Sequence, residues 1–413
     1  MSKKTSRLRF NKYKSSPQIG KLGDYSIKVG SGKTPKGGSS VYQNDGVILI
    51  RSQNVLDGQL ELNEVAFISH EINKTMSNSE VNPNDVLLNI TGASIGRCAI
   101  VPNDFPPANV NQHVCIIRAD ENKLDPKYLM QQILSPRIQN QINSLQAGGN
   151  REGLNFQQIR AFNVVIHDYQ EQVQIGNFLS TIDSRITNQS SKIDSLQELK
   201  KGVMQKIFSQ EIRFKREDGG EYPDWEYRRL CDFSTRVTRK NKNLQSNRAL
   251  TISSIDGLVE QESYFTRRVA SSNIKGYFLL RKGEFAYNKS YSNGYPWGSI
   301  KMLKKYDEGV LSTLYICFSI DESVDGEFFE HYFNSNNWHN EISMIAVEGA
   351  RNHGLLNVRP GDFFETVHEL PSLEEQHKIA DFLSTLDSKI DIESQILSTL
   401  QTLKKGLLQQ MFV

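Results

Sequence analysis

Through residues 171–208 the apolar positions advance in alternating steps of four and three: Ile175, Leu179, Ile182, Ile186, then, after Gln189, Ile193 and Leu196, then, after Lys200, Val203 and Ile207. Residues 375–412 repeat the pattern with Ile379, Leu383, Leu386, Ile390, Leu397, Leu400, Leu407 and Met411, broken at Glu393 and Lys404. A four-three spacing held this long predicts a coiled-coil seam. Neither stretch contains proline, and each of the 38-residue copies would span roughly 57 Å at 1.5 Å per residue. That is longer than a domain is wide, so the helices read as spacers.

The two stretches are copies. They align without a gap at an offset of 204, with identity at 19 of 38 positions. A fixed-period repeat of this strength organises the whole chain. Flanking segments correspond as well: Arg9-Phe10 with Arg213-Phe214, Leu22-Gly23-Asp24-Tyr25 with Leu230-Cys231-Asp232-Phe233, and Leu154-Asn155 with Leu356-Asn357. The layout that follows is a globular segment (1–170), a long helix (171–208), a polar linker (209–221) punctuated by Gly219 and Gly220 with Pro223 just beyond it, a second globular segment (222–373) and a second long helix (374–413). Short β-rich runs at 46–51, 85–90, 113–118 and 313–320, with helical stretches at 126–144 and 325–335, make each globular segment mixed. The fold class is α+β: two mixed α/β domains and two long helices forming an antiparallel coiled coil, related by a pseudo-two-fold.

Charge adds a direction. The net value is only +2, yet residues 1–36 hold ten Lys/Arg against one acid, and residues 228–248 hold seven against one. Both basic runs open a globular segment, which suits a polyanion such as DNA, although a solvated basic surface reads the same way. Four scattered cysteines, Cys98, Cys115, Cys231 and Cys317, give neither a zinc pattern nor a disulfide framework and read as small buried apolar residues. No apolar run approaches a membrane span and the basic N-terminus has no signal-peptide core, so a cytoplasmic location without membrane association is expected.

A search for catalytic motifs fails. Gly32-Lys33-Thr34 lacks the glycine that a phosphate loop needs at position 27, which is Ile27. There is no G-x-G-x-x-G and no G-x-S-x-G, and the eight histidines show no ligand spacing. Phe105-Pro106-Pro107-Ala108 does not match the loop of DNA amino-methyltransferases, and Pro223-Asp224-Trp225-Glu226 lacks the spacing of a nuclease site. A duplicated architecture without such motifs favours recognition over catalysis. The competing readings are a coiled-coil scaffold without DNA specificity and a self-contained methyltransferase or nuclease.

The twice-repeated E-Q-x-x-I-x-x-F-L-S-T-[IL]-D-S-[RK]-I running on to L-K-K-G resembles the specificity subunits of type I restriction–modification systems. Gly32-Lys33-Thr34-Pro35, Thr91-Gly92-Ala93-Ser94-Ile95-Gly96-Arg97, Asn111-Gln112-His113 and Pro126-Lys127-Tyr128-Leu129 extend that resemblance, while Tyr287-Asn288-Lys289-Ser290 departs from it in the second segment. The resemblance implies a non-catalytic subunit whose two globular segments are target recognition domains. Each would read one half of an asymmetric bipartite site on double-stranded DNA, with the helices setting the gap. It also implies two methyltransferase subunits that methylate adenine and two motor–nuclease subunits that restrict. S-adenosylmethionine, ATP and magnesium would bind to those partners and not to this chain.

Base reading needs Arg or Lys toward guanine and Asn or Gln toward adenine, presented by loops. The candidates are Lys33, Lys36, Arg51, Gln53, Asn54, Arg97, Asn150 and Arg151 in the first domain, and Arg236, Arg239, Lys240, Lys289, Tyr291, Asn293 and Arg351 in the second. Leu199-Lys200-Lys201-Gly202 and its copy at 403–406 suggest either partner docking or ordinary helix-end chemistry. Phe178 and Phe382 stand beside the seam and would serve partner binding or domain packing.

Overall fold

The computed structural model describes residues 8–146, 153–264, 274–348, 354 and 356–412. The chain forms two compact units, Met1–Lys192 with Glu393–Val413 and Ile193–Ile392.

The first unit is built on a four-stranded antiparallel sheet in the order Ser26–Ser31, Val114–Ala119, Val86–Asn89, Cys98–Ile100. Alternate residues of a strand face opposite ways. Leu87, Ala99, Val114 and Ile116 turn toward a second, three-stranded sheet, where they share a core with Ile48, Ile50 and Val110. Val86, Leu88, Cys98, Cys115 and Ile117 turn the other way, onto the helix Pro126–Leu134 and onto Ile175, Leu179 and Ile182 of a long helix. The second sheet orders Ala66–Ile68, Val47–Ile50 and Ala108–Val110, the last two in parallel. Its central strand is apolar at all four positions and buried at all four, as expected for a strand covered on both faces.

The second unit repeats the plan with other residues. Its four-stranded sheet runs Ser234–Arg236, Ile316–Ile320, Phe285–Asn288, Ser299–Met302. One face carries an aromatic core in which Phe285 stacks on Phe318 at 5.3 Å between ring centroids. On the other face Ala286 and Cys317 meet Leu250, Ile252, Leu280 and Leu311.

The stretch expected as one helix at 126–144 is two, Pro126–Leu134 and Pro136–Gln146. Pro136 drives Ser135 to an extended ψ of 152° and ends the first helix there. The long helices span Tyr169–Phe208 and Leu373–Met411, starting slightly before the expected bounds. Every apolar seam position named above is buried or half-buried. The helices pack antiparallel. In the first unit Lys404 pairs with Asp183 at 2.5 Å and Gln189 with Glu393 at 2.6 Å. In the second unit Lys200 pairs with Asp387 at 2.5 Å. The interruptions of the heptad stripe are therefore polar seam contacts. Lys200 and Lys404 serve neither helix-end chemistry nor an exposed docking motif, whereas Leu199 and Leu403 remain exposed.

Three cysteines are buried as expected, and Cys231 is exposed. It lies on the one-turn helix Leu230–Phe233, whose apolar ends Leu230 and Phe233 face the core and leave the position between them outward.

Candidate functional site

The repeated E-Q motif fastens each globular part to a helix. Glu171, with no side-chain exposure, accepts from Arg9 Nε (3.0 Å) and Nη2 (2.5 Å). Glu375 receives Arg213 in the same way (3.2 and 2.7 Å) and also Trp225 Nε1 at 3.2 Å. The carboxylates hold both guanidinium pKa values above the usual arginine value, chiefly through these hydrogen bonds. One residue on, Gln172 Oε1 accepts from Asp125 N (3.0 Å) and Gln376 Oε1 from Asp325 N (2.8 Å), where Asp125 and Asp325 are the N-caps of the helices Pro126–Leu134 and Gly326–Phe333. Phe10 packs edge-on against Phe178, and Phe214 against Phe382. The two phenylalanines beside the seam thus serve domain packing. Arg213 and Phe214 fall in the polar linker and dock on the helix, as Arg9 and Phe10 do in the first unit. Gly176 admits the close approach in the first unit: a Cβ there would lie 2.7 Å from Asp125 Oδ1 and 2.8 Å from Tyr128 N.

With the scaffold fixed, sheet register decides where the loops go. In the first unit Ser31 and Leu88 both pair with Cys115, and Leu88 with Cys98, so two strands end and two begin at one sheet edge. The parallel pair ends there too, since Asn111 N donates to Ile50 O (3.1 Å) and Gly32 N to Asn111 O (3.2 Å). Loops 32–36, 51–54, 90–97 and 111–113 are thereby collected. Gly32 is required for this, because a Cβ would sit 1.6 Å from the Val110 carbonyl oxygen. Side chains stitch the loops together. Buried Asn89 donates to Ser52 O (2.8 Å) and Val55 O (3.2 Å), Thr91 Oγ1 bonds His113 Nδ1 (2.7 Å), Gln112 Nε2 bonds His113 Nε2 (3.0 Å), and Thr34 Oγ1 donates to Gln112 Oε1.

Lys33, Lys36, Gln53 and Arg97 are exposed on these loops, with Lys33 Nζ also donating to Thr75 O at 2.9 Å. Asn150, Arg151 and Arg351 lie outside the described residues. Asn54 needs correction: it is 1% exposed, its Oδ1 accepts from Arg51 N, and its Nδ2 donates to Glu61 O and Glu64 O. It builds its turn and cannot reach a ligand. Arg51 is half-buried, its guanidinium 5.8 Å from the centre of the Tyr42 ring. Thr34, Thr91, Gln112 and His113 were not among the candidates, although all four stand in the motifs that carry the family resemblance.

The second unit has a matching edge. Tyr287 pairs with Ile316 and Asn288 with Ser299, which brings loops 289–298 and 312–315 together. Ser254, at the turn after Leu250–Ser253, reaches Ser299 Oγ (3.2 Å) and Ser292 Oγ (3.4 Å), adding a third loop. Leu356 N donates to Lys289 O as Leu154 N does to Ile90 O, both at 2.8 Å, so the Leu-Asn pairs occupy corresponding places. Arg236, Tyr291 and Asn293 are exposed. Three other candidates are half-buried and make contacts within the fold. Arg239 is half-buried and bonds both oxygens of Glu284 at 2.7 Å. Lys240 donates to Gly276 O (2.9 Å) and sits 3.8 Å over the Phe278 ring. Lys289 Nζ lies 3.3 Å from Val358 O, and burial lowers its pKa.

Among the described residues no group of three His, Cys, Asp or Glu could hold a metal ion, and no helix is long and apolar enough to cross a membrane. The deeply buried histidines have structural partners: His167 with Tyr128 OH (2.6 Å), His331 with Ser384 Oγ (3.1 Å), and His368 with Tyr332 OH (3.0 Å) and Thr366 Oγ1 (2.9 Å). Burial pushes His331 and His368 down to about 3.

A tandem pair of α+β domains, each gathering its loops at one sheet edge and each fastened to long paired helices by the same Arg-Glu and Gln contacts, defines a duplicated recognition-type architecture. The family model for the type I restriction modification DNA specificity domain matches it twice, over residues 18–201 and 205–402. The chain belongs to the type I restriction–modification specificity subunit family. It is 27% identical over 175 residues to the EcoBI specificity subunit of Escherichia coli (41% of this chain, 36% of the relative). It is 26% identical over 258 residues to the MjaVIII specificity subunit of Methanocaldococcus jannaschii (58% of each). These matches thus span only about a third to three fifths of the relatives' length. The crystal structure of a type I restriction–modification S subunit from M. genitalium shares the fold, with a TM-score of 0.60 at 15% identity over 99% of both chains.

Proposed function

We propose that each sheet edge reads one half of an asymmetric, bipartite site on double-stranded DNA, and that this chain directs partner subunits to it without carrying out a chemical step. The observation that carries this reading is the gathering of unlike loops at corresponding sheet edges of the two domains, with exposed Lys33, Lys36, Gln53 and Arg97 on one and Arg236, Tyr291 and Asn293 on the other. Such loops supply base contacts, while neighbouring lysines and arginines neutralise phosphate. The long helices set the number of unread base pairs. Two methyltransferase subunits bind this chain and methylate adenine with S-adenosylmethionine. Two motor–nuclease subunits join them with ATP and magnesium, and all of these cofactors stay on the partners. The complex works in the cytoplasm.

Modified-base sequencing of a methylation-free host tests the reading. Coexpression with the neighbouring methyltransferase subunit should place methyladenine at one interrupted motif, and omission of this chain should abolish it. Exchange of residues 1–168 for those of another family member should change one half of the motif only. Unchanged methylation without this chain would leave the scaffold reading in its place.

A further inference from the structure

Corresponding loops of the two edges differ in chemistry. After the central strand of the three-stranded sheet, Val47–Ile50, the first unit exposes Gln53. After its counterpart, Leu250–Ser253, the second unit exposes Ile255. The strand lying parallel to each leads to exposed Gln112 in the first unit and exposed Leu314 in the second; the parallel pairings are Ile48 with Ala108 and Ala249 with Val310. Amides in one domain are thus replaced by branched aliphatics in the other.

Ile255 is 85% exposed and Leu314 66%. Tyr291, on the third loop of the same edge, is 59% exposed. Single exposed apolar residues are ordinary, but three from three separate loops at one edge are not. The Ile255 turn is also held rigidly. Ser253 Oγ donates to Asp256 Oδ2 (2.9 Å) and accepts from Asp256 N (3.0 Å), and Gly257 takes a φ of +78°. A turn centre of this kind normally carries a polar residue. Here it holds a β-branched side chain outward, where it buries nothing within its own fold. Arg236, exposed at the end of its strand in the four-stranded sheet, supplies positive charge for a phosphate.

We infer that the second domain reads its half-site through the C5-methyl groups of thymine, using Ile255 and Leu314. The major-groove edge of an A·T pair offers one apolar feature, that methyl, and aliphatic side chains are its natural partner. This rests on the reading proposed above.

The test uses the complex of this chain with its methyltransferase subunits and duplexes carrying the sequenced motif. Deoxyuridine replaces thymine one position at a time, which removes a methyl and nothing else. At one or more positions of the second half-site, affinity should fall about fourfold per methyl, the worth of one buried methyl group. In Ile255→Ala or Leu314→Ala complexes the matching position should lose its sensitivity, and first-half-site sensitivities should stay as they were. A second half-site of G·C pairs only would overturn the inference. So would deoxyuridine tolerated throughout it, or a penalty unchanged in both variants. Loss of methyltransferase binding by Ile255→Ala without DNA, with no deoxyuridine effect, would overturn it in favour of a protein-docking surface. Absence of any bipartite motif would instead overturn the underlying reading.

Discussion

The two units solve the same mechanical problem with the same atoms and the same recognition problem with different ones. At the helix, Arg9-Glu171 and Arg213-Glu375, Gln172 and Gln376, and Asp183-Lys404 and Asp387-Lys200 recur one for one. At the sheet edge the correspondence dissolves: the loops that expose Gln53 and Gln112 in the first unit expose Ile255 and Leu314 in the second, and the Thr91–Arg97 turn gives way to a longer loop closed by Gly298. A duplicated chain can let its loops diverge freely only if the attachment beneath them is fixed by contacts that no loop residue shares.

The attachment is shared in outline and unequal in detail, which makes it testable. The largest effect is expected at the arginines. Arg9→Ala strands Glu171 as a buried carboxylate and should destabilise the first unit by about 3 kcal/mol. Arg213→Ala should cost the second unit about 1 kcal/mol less, because Trp225 Nε1 still donates to Glu375. Hydrogen exchange resolved by unit measures both, and equal losses would show that the tryptophan contributes nothing.

Acid should separate the units next. His331 and His368 titrate near 3 when folded, against 6.5 as the ordinary value. Their folded pKa is depressed, so their contribution is complete above about pH 6.5 and is lost as pH falls from there toward 3. By pH 5 each should have cost about 2 kcal/mol. In the first unit burial also lowers His167. Exchange protection should therefore fall further in the second unit between pH 7 and pH 5, and the gap should narrow in His331→Gln.

Gly176→Val should cost about 2 kcal/mol by pushing the capped end of Pro126–Leu134 off the helix, whereas Ala380→Gly at the matching position should cost about 1 kcal/mol of helix propensity. Smallest is the seam. Lys404→Ala leaves a well-covered Asp183 and should cost about 1 kcal/mol. Lys200→Ala leaves the more exposed Asp387 and should cost about half as much in the same thermal melts.

Legibility in the sequence followed the range of the interaction. The long helices and their seam were readable because heptad spacing is local. The E-Q motif was visible as a repeat while its work was not, because Arg9 lies 162 residues from Glu171 and only the fold brings them together. Lys200 and Lys404 read equally as partner-docking or helix-end lysines in the sequence, and antiparallel pairing supplies an aspartate for each. Asn54 shows the limit for site residues: an amide that closes its own turn has the same composition signal as one that reads a base. Gln112 and Thr34 escaped for the opposite reason, since their partners come from strands whose register decides which loops are neighbours.

The contact between Gln189 and Glu393 has a consequence for assembly. These residues occupy the same position of the two repeats, so at this level of the seam each repeat meets its own equivalent. Lys192 also reaches Glu393, at 2.5 Å. Were two chains to pair second repeat with second repeat, two nearly buried carboxylates would oppose and repel each other at this level. A difference of one atom group between amide and acid thus gives the chain a reason to close on itself, and makes a like-with-like dimer through its C-terminal helix a poor competitor.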